Sequence, residues 1–115
     1  MSKATIQAEV IAWLHNDNAA AQQDVFWQRA KDAISGDVYG IDVTVAGWED
    51  AHCTEHPSLW FYAALSAGHI FTRDAEGLAT AAQGYQAEVA RVGTSPALRG
   101  TRKQMTRPYG GKNGT

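Results

Sequence analysis

The chain has 115 residues, of which 44% are hydrophobic and 19% are charged, as in an ordinary soluble protein of one domain. No stretch approaches the roughly 20 apolar residues of a membrane-spanning helix, and the N-terminal segment lacks the apolar core of a secretory signal. Cys53 is the only cysteine, which excludes an internal disulfide and a zinc site built from several thiolates, and which suits a reducing compartment.

The net charge of −2 conceals an acidic body and a basic end. Residues 1–94 carry all 12 acidic side chains and five basic ones, a net charge of −7. Residues 95–115 carry five basic side chains and no acidic one, a net charge of +5. This division is typical of a tail that contacts either an acidic protein surface or a nucleic acid, and the sequence alone leaves the two about even.

Two amphipathic helices are predicted in the first third of the chain. Ile6, Val10 and Trp13 recur at helical spacing, which predicts a helix over about residues 5–14. The same spacing predicts a second helix over about residues 20–34. Short polar side chains separate the two helices, since such side chains compete for the backbone hydrogen bonds of a helix.

The periodicity changes over residues 37–50. Ile41, Val43 and Val45 alternate with polar residues, a period of two that predicts a short strand or β-hairpin arm. Because an isolated hairpin is marginally stable in water, we expect this arm to pack on the helices or on a neighbouring subunit.

Two further helices are predicted in the second half of the chain. One begins at Pro57, a residue suited to the first helical turn, and runs to about residue 71 with apolar side chains nearly all round it. Such a helix is buried on several sides. Asp74 can cap the other, over about residues 75–92, whose regular apolar spacing predicts a packing seam.

A polar cluster precedes Pro57. His52 and His56 are four residues apart and are weak candidates for a metal site, which would need a third and fourth ligand such as Glu55 or His69. Pro57 indicates that the helix begins after the cluster, so we favour a polar loop with no metal and no cofactor. Cys53 could form a nucleophilic pair with a neighbouring histidine, but a buried or inert thiol is the favoured interpretation.

One part of the chain resembles a known family. The segment HPSLWFYAALSAGHIFTRD (residues 56–74), continued by YQAEV (residues 85–89), is similar to the C-terminal half of head–tail adaptor proteins of tailed bacteriophages. The shared features are a proline, an apolar run with Tyr-Ala-Ala-Leu, an Arg-Asp break and a Tyr-x-x-x-Val seam. Residues 6–34 are similar to the first helix pair of that family, whereas residues 36–55 do not match.

The resemblance implies a mainly helical, non-catalytic subunit of a ring, commonly of about twelve copies. Such a ring joins the portal protein to the tail in the virion neck and is assembled in the host cytoplasm. Its C-terminal arm docks on the portal, its opposite face receives a tail or neck protein, and genomic DNA passes through its lumen without sequence-specific binding.

Applied to this chain, the resemblance predicts a helical adaptor body at residues 1–94 and an extended basic arm at residues 95–115. The fold would be a small bundle of about four helices with the β arm and the tail. The candidate portal-binding residues of the arm are Arg99, Arg102, Lys103, Arg107 and Tyr109. The candidate subunit contacts are Trp13, Trp60, Phe61 and Tyr85.

Three other functions fit parts of the sequence. A small helical nucleic-acid-binding protein would use the basic tail, and its affinity would fall steeply with salt. Another virion protein, such as a tail-completion subunit, shares the same features. A metal-dependent hydrolase at His52, Cys53 and His56 would contain bound metal after purification.

Overall fold

The computed structural model describes residues 2–93, which form five α-helices. The helices are α1 (Lys3–Leu14), α2 (Gln23–Asp37), α3 (Trp48–Glu55), α4 (Pro57–Thr72) and α5 (Ala75–Val92), with a 3₁₀ turn at Ala19–Gln22 before α2. The mainly helical class is confirmed, and all four predicted helices are present. No helix in this part of the chain is long and apolar enough to cross a membrane.

Helix α4 lies at the centre and packs against the other four helices. Its sequence explains this position, because apolar and small side chains surround it. Gly68 marks a close approach to α1, since a Cβ atom there would lie 2.5 Å from Cδ1 of Leu14. The buried residues of α4 are Leu59, Trp60, Ala63, Ala64, Leu65, Ala67 and Gly68.

The predicted β arm at residues 37–50 is wrong. Within the described chain α2 continues to Asp37, Val38 forms an isolated bridge, and residues 39–47 form turns that lead into α3. The Asp42 carboxylate accepts the backbone N–H of Thr44 at 3.0 Å and its hydroxyl at 2.6 Å, a local bond that competes with a strand ladder. Val43 and Val45 remain 54% and 53% exposed, so neither side chain is buried in the core.

Helix α3 was not predicted, because the polar cluster before Pro57 was interpreted as a loop. Gly47 precedes the helix with φ of 80°, a conformation that glycine adopts without strain. Glu49 and Asp50 occupy the first turn, where the helix dipole favours negative charge. Proline disfavours the helical conformation of the residue before it. His56 is therefore not helical, and it separates the end of α3 from the start of α4 at Pro57.

The carboxylate of Glu49 holds α3 against α1 and α2. It accepts a hydrogen bond from the indole N–H of Trp27. The Nζ atoms of Lys31 and Lys3 lie 3.3 Å and 4.0 Å from its oxygens. A single residue of α3 therefore contacts side chains from both neighbouring helices.

Helix α5 begins and packs as the sequence indicates. The predicted cap is confirmed, since Asp74 Oδ1 accepts the backbone N–H of Gly77 at 2.9 Å. Further along the helix, the hydroxyl of Tyr85 donates to Asp37 Oδ2 at 2.7 Å. This hydrogen bond joins α5 to the end of α2. Burial and the contact with Asp37 raise the pKa of Tyr85, so its hydroxyl stays protonated.

Candidate functional site

An apolar groove opens on the surface between α1, α4 and α5. Trp13 stands at its edge with 65% of its surface exposed. Its indole meets the ring of Phe61 edge-to-face, with the ring centroids 6.3 Å apart. The groove has a volume of about 330 Å³, and its lining contains no Lys or Arg among the described residues. It is lined by Trp13, Phe61, Tyr62, Leu65, His69, Gly77, Thr80 and Ala81.

Two glycines of α5 make room for the α4 side chains of the groove. A Cβ atom at Gly77 would lie 2.5 Å from Cε1 of His69, and one at Gly84 would lie 2.7 Å from the ring of Tyr62. Both distances are too short for ordinary contact, so glycine is required for this packing. The pattern of the sequence did not place Tyr62 and His69, both of which are partly buried, beside this groove. The available signal was the pair of glycines inside an otherwise regular helix.

The structure separates the four predicted subunit contacts into two pairs. Trp13 and Phe61 lie at the groove, and their contact with a neighbouring subunit stays a prediction. The assignment is wrong for Trp60, which is 0% exposed and stacks on Trp27 with ring centroids 4.7 Å apart. It is also wrong for Tyr85, which is 8% exposed. Both side chains are occupied by the core of their own subunit and present almost no surface to another chain.

His52 accepts a hydrogen bond from the buried indole of Trp60. Its Nδ1 atom lies 2.8 Å from Nε1 of Trp60. Because an indole N–H can only donate, Nδ1 of His52 must be unprotonated, and the neutral ring carries its proton on Nε2. Burial of the ring, followed by the neighbouring His56, lowers the pKa of His52, while Glu55 acts in the opposite direction.

The remaining groups of the polar cluster are also engaged in packing. The rings of His52 and His56 approach to a centroid distance of 4.9 Å, but in residues 2–93 no group of three or more potential ligands is arranged to hold a metal ion.

Cys53 is buried, as predicted, and its thiol donates to the carbonyl oxygen of Asp50 at 3.4 Å. Burial, then the charges of Asp50 and Glu49, raise the pKa of this thiol, which disfavours the nucleophilic thiolate.

The lowered pKa of His52, caused first by burial of its ring, predicts a free energy of unfolding that depends on pH. The unfolded chain protonates His52 near its ordinary pKa of 6.5, whereas the folded chain does so only at lower pH. We therefore expect the free energy of unfolding to be highest above that value and to decrease as the pH falls below it. Urea unfolding at a series of pH values measures the effect.

The matched variants for this measurement are His52→Asn and His15→Asn. Asparagine at position 52 offers an acceptor but does not titrate, so the dependence on pH below 6.5 should become weaker. His15 is exposed and adopts φ of 50°, a conformation that asparagine tolerates. If His52→Asn keeps the full dependence of the original chain, protonation of His52 does not cause it.

The candidate arm residues Arg99, Arg102, Lys103, Arg107 and Tyr109 lie outside the described residues. Their contact with a portal protein stays a prediction from sequence. This prediction depends on the opposite net charges of residues 1–94, which carry −7, and residues 95–115, which carry +5.

Comparison with known proteins adds no relative to this picture. No family model matches the chain, and neither a curated protein nor a solved structure matches it. The likeness to head–tail adaptor proteins therefore depends on the sequence features described above.

Proposed function

We propose that this chain is a structural subunit of the head–tail adaptor ring in the neck of a tailed bacteriophage. The ring joins the portal protein to the tail and continues the DNA channel. It contains about twelve copies, as expected from the resemblance. The portal and a tail or neck protein are its other partners, and the basic arm at residues 95–115 docks on the portal.

The observation that carries this proposal is the exposure of Trp13 on an apolar groove. A tryptophan contributes a large apolar area, and such residues are enriched where protein surfaces meet. Each subunit would cover the groove with a different surface of the next subunit. A head-to-tail contact of this kind closes into a ring when its rotation divides a full turn.

The charge distribution supports the same proposal. The body carries a net charge of −7, and residues 95–115 carry +5. An acidic channel wall repels the phosphates of passing DNA. Arginine pairs with carboxylates through two parallel hydrogen bonds, so the arm suits an acidic surface on the portal.

The proposed subunit contact is tested by replacing Trp13 with serine. Central aromatic contacts contribute about 2 kcal/mol or more to an interface, so we expect the assembly constant to decrease by at least about 30-fold per contact. Native mass spectrometry over a range of protein concentrations measures the distribution of assembled species.

The control is Val25→Ser. Val25 is 45% exposed and lies outside the groove, so its replacement should leave assembly unchanged. Circular dichroism confirms that both variants remain helical. If Trp13→Ser assembles as the original chain does, the groove is not the subunit contact.

A second candidate function is nucleic-acid binding by the basic segment. The charge of +5 without any acidic residue favours it. A gel-shift series at two salt concentrations separates the two functions. DNA binding through phosphate contacts weakens steeply with salt, whereas an adaptor binds portal more tightly than DNA at both salt concentrations.

A further inference from the structure

A second cavity, which we call the loop pocket, lies away from the Trp13 groove. It is formed by the turns after α2, by α3 and by the end of α5, and its volume is about 420 Å³. Unlike the groove, it combines aromatic and aliphatic walls with carboxylates. It is lined by Val38, Tyr39, Gly40, Ile41, Asp42, Val45, Trp48, Ala51, His52, Glu55, His56 and Val92.

The chemistry of the loop pocket favours a cation. Asp42 and Glu55 both line it, and its lining contains no Lys or Arg within residues 2–93. The Glu55 side chain is 75% exposed, and its Oε1 lies 3.5 Å from Nε2 of His56, so a cation that binds here would share this carboxylate with the His56 ring. Hydrogen bonds from Thr44 lower the pKa of Asp42, which keeps it ionised at neutral pH. His52 adds no positive charge, because its bond to Trp60 requires a neutral ring.

The aromatic walls select among cations. Trp48 and Tyr39 line the pocket beside the carboxylates. A guanidinium group is planar, stacks on aromatic faces and pairs with a carboxylate through two parallel hydrogen bonds. A lysine ammonium is more strongly hydrated and lacks the planar shape. The combination of surfaces therefore fits arginine better than lysine.

The rim of the loop pocket indicates a protein as the source of this arginine. Tyr39 and Val45 line the pocket and are 55% and 53% exposed. Val43, in the same turn region, is 54% exposed. Tyr39 and Val45 belong to the pocket rim, and Val43 is close in sequence but outside the pocket, so a ligand the size of one side chain would leave part of this apolar surface in water. An arginine surrounded by apolar contacts is often a hot spot of a protein interface, a residue that contributes a large share of the binding free energy.

We propose that the loop pocket binds an arginine side chain of a partner protein, with its guanidinium stacked on Trp48 and paired with Glu55. The apolar rim contacts the residues that flank this arginine. The pocket shares no lining residue with the Trp13 groove, so the inference does not depend on ring assembly through that groove.

The arginines of this chain itself are the competing source. The described residues end at Gly93, whose carbonyl oxygen accepts the backbone N–H of Tyr39 at 3.0 Å. Residues 95–115 follow Gly93 in sequence, and they contain three arginines. The experiment must therefore distinguish an arginine of the same chain from one of a partner.

The test is an NMR titration of the full chain with N-acetyl-arginine amide, a small cation that presents one arginine side chain. We expect the resonances of Trp48 and His52 to shift, with saturation in the millimolar range that is usual for so small a ligand. The citrulline analogue has nearly the same shape but no charge, and it should bind at least about tenfold more weakly. The lysine analogue should also bind more weakly than arginine.

Two matched variants assign the binding to the pocket. Glu55→Gln removes the proposed carboxylate partner and should weaken arginine binding by about tenfold. Glu9→Gln changes the net charge by the same amount, but Glu9 lies outside the loop pocket, and binding should be unchanged. Equal binding of the arginine and citrulline analogues, or equal loss in both variants, would overturn the proposed site.

A third variant identifies the source of the arginine. Replacing Arg99, Arg102 and Arg107 with alanine in the full chain removes the arginines of the C-terminal segment. Unchanged affinity for the arginine analogue supports a partner as the source. An affinity about tenfold higher in this variant would show that the chain fills its own pocket, which overturns the partner as the source. None of these readings depends on the mass of an assembly, so they fail or succeed separately from the adaptor proposal.

Discussion

Replacing Trp60 with alanine is expected to lower the free energy of unfolding by about 3–5 kcal/mol, the range for large buried aromatic residues. Trp60 is 0% exposed and stacks on Trp27. It also donates the hydrogen bond to His52. The substitution therefore leaves a cavity at the centre of the fold and removes the donor that satisfies a half-buried ring.

Two further variants make this measurement interpretable. Trp13→Ala removes the same side chain from an exposed position and should cost about 1 kcal/mol or less when the chain is monomeric. Trp60→Phe keeps most of the buried ring but loses the hydrogen bond, and it should cost about 1–2 kcal/mol beyond the change in ring size. Urea unfolding gives all three values. Equal costs for Trp60→Ala and Trp13→Ala would contradict the assigned core.

Deleting residues 95–115 is expected to abolish binding to the portal protein while leaving the helical body folded. The deleted segment contains half of the basic side chains of the chain and none of its acidic ones. Among the described residues, the hydrophobic core is built from residues between Ile6 and Val89, together with residues packed against it, and we expect it to remain folded without the deleted segment. We expect the affinity for portal to decrease by about 100-fold or more, since several charged contacts are lost together.

Biolayer interferometry with purified portal measures this affinity, and circular dichroism of the truncated chain checks its fold. A full-length control with glutamine in place of Arg99, Arg102, Lys103 and Arg107 separates charge from chain length. It should lose most of the binding, and the binding of the original chain should weaken with salt. A truncated chain that binds portal with its original affinity would remove the arm from the proposed mechanism.

Features that depend on neighbouring residues in sequence were predictable. Helical periodicity placed α1, α2, α4 and α5. Asp74 was identified as a cap because its carboxylate bonds to a backbone N–H three residues away. Pro57 was placed at a helix start because its missing N–H has no cost there. These are interactions within one or two turns of chain, so the local sequence contains most of the information.

Competition between local interactions limited the prediction at residues 37–50. Alternating apolar residues favoured a strand, but a strand needs a partner to complete its hydrogen bonds. The turn around Asp42 and the acidic first turn of α3 satisfy the backbone locally instead. The sequence contained both the turn residues and the alternating apolar residues. Which of the two would decide the local structure depended on whether a partner strand lies beside this region, and within residues 2–93 none does.

By itself, the sequence determined the helical class, most helix positions and the division of charge between the body and residues 95–115. Only the tertiary structure decided which tryptophan is buried. Trp13 and Trp60 both fall in apolar helical stretches, yet one is 65% exposed and the other is 0% exposed. Burial depends on which helices meet across the core, and that arrangement joins residues far apart in the chain.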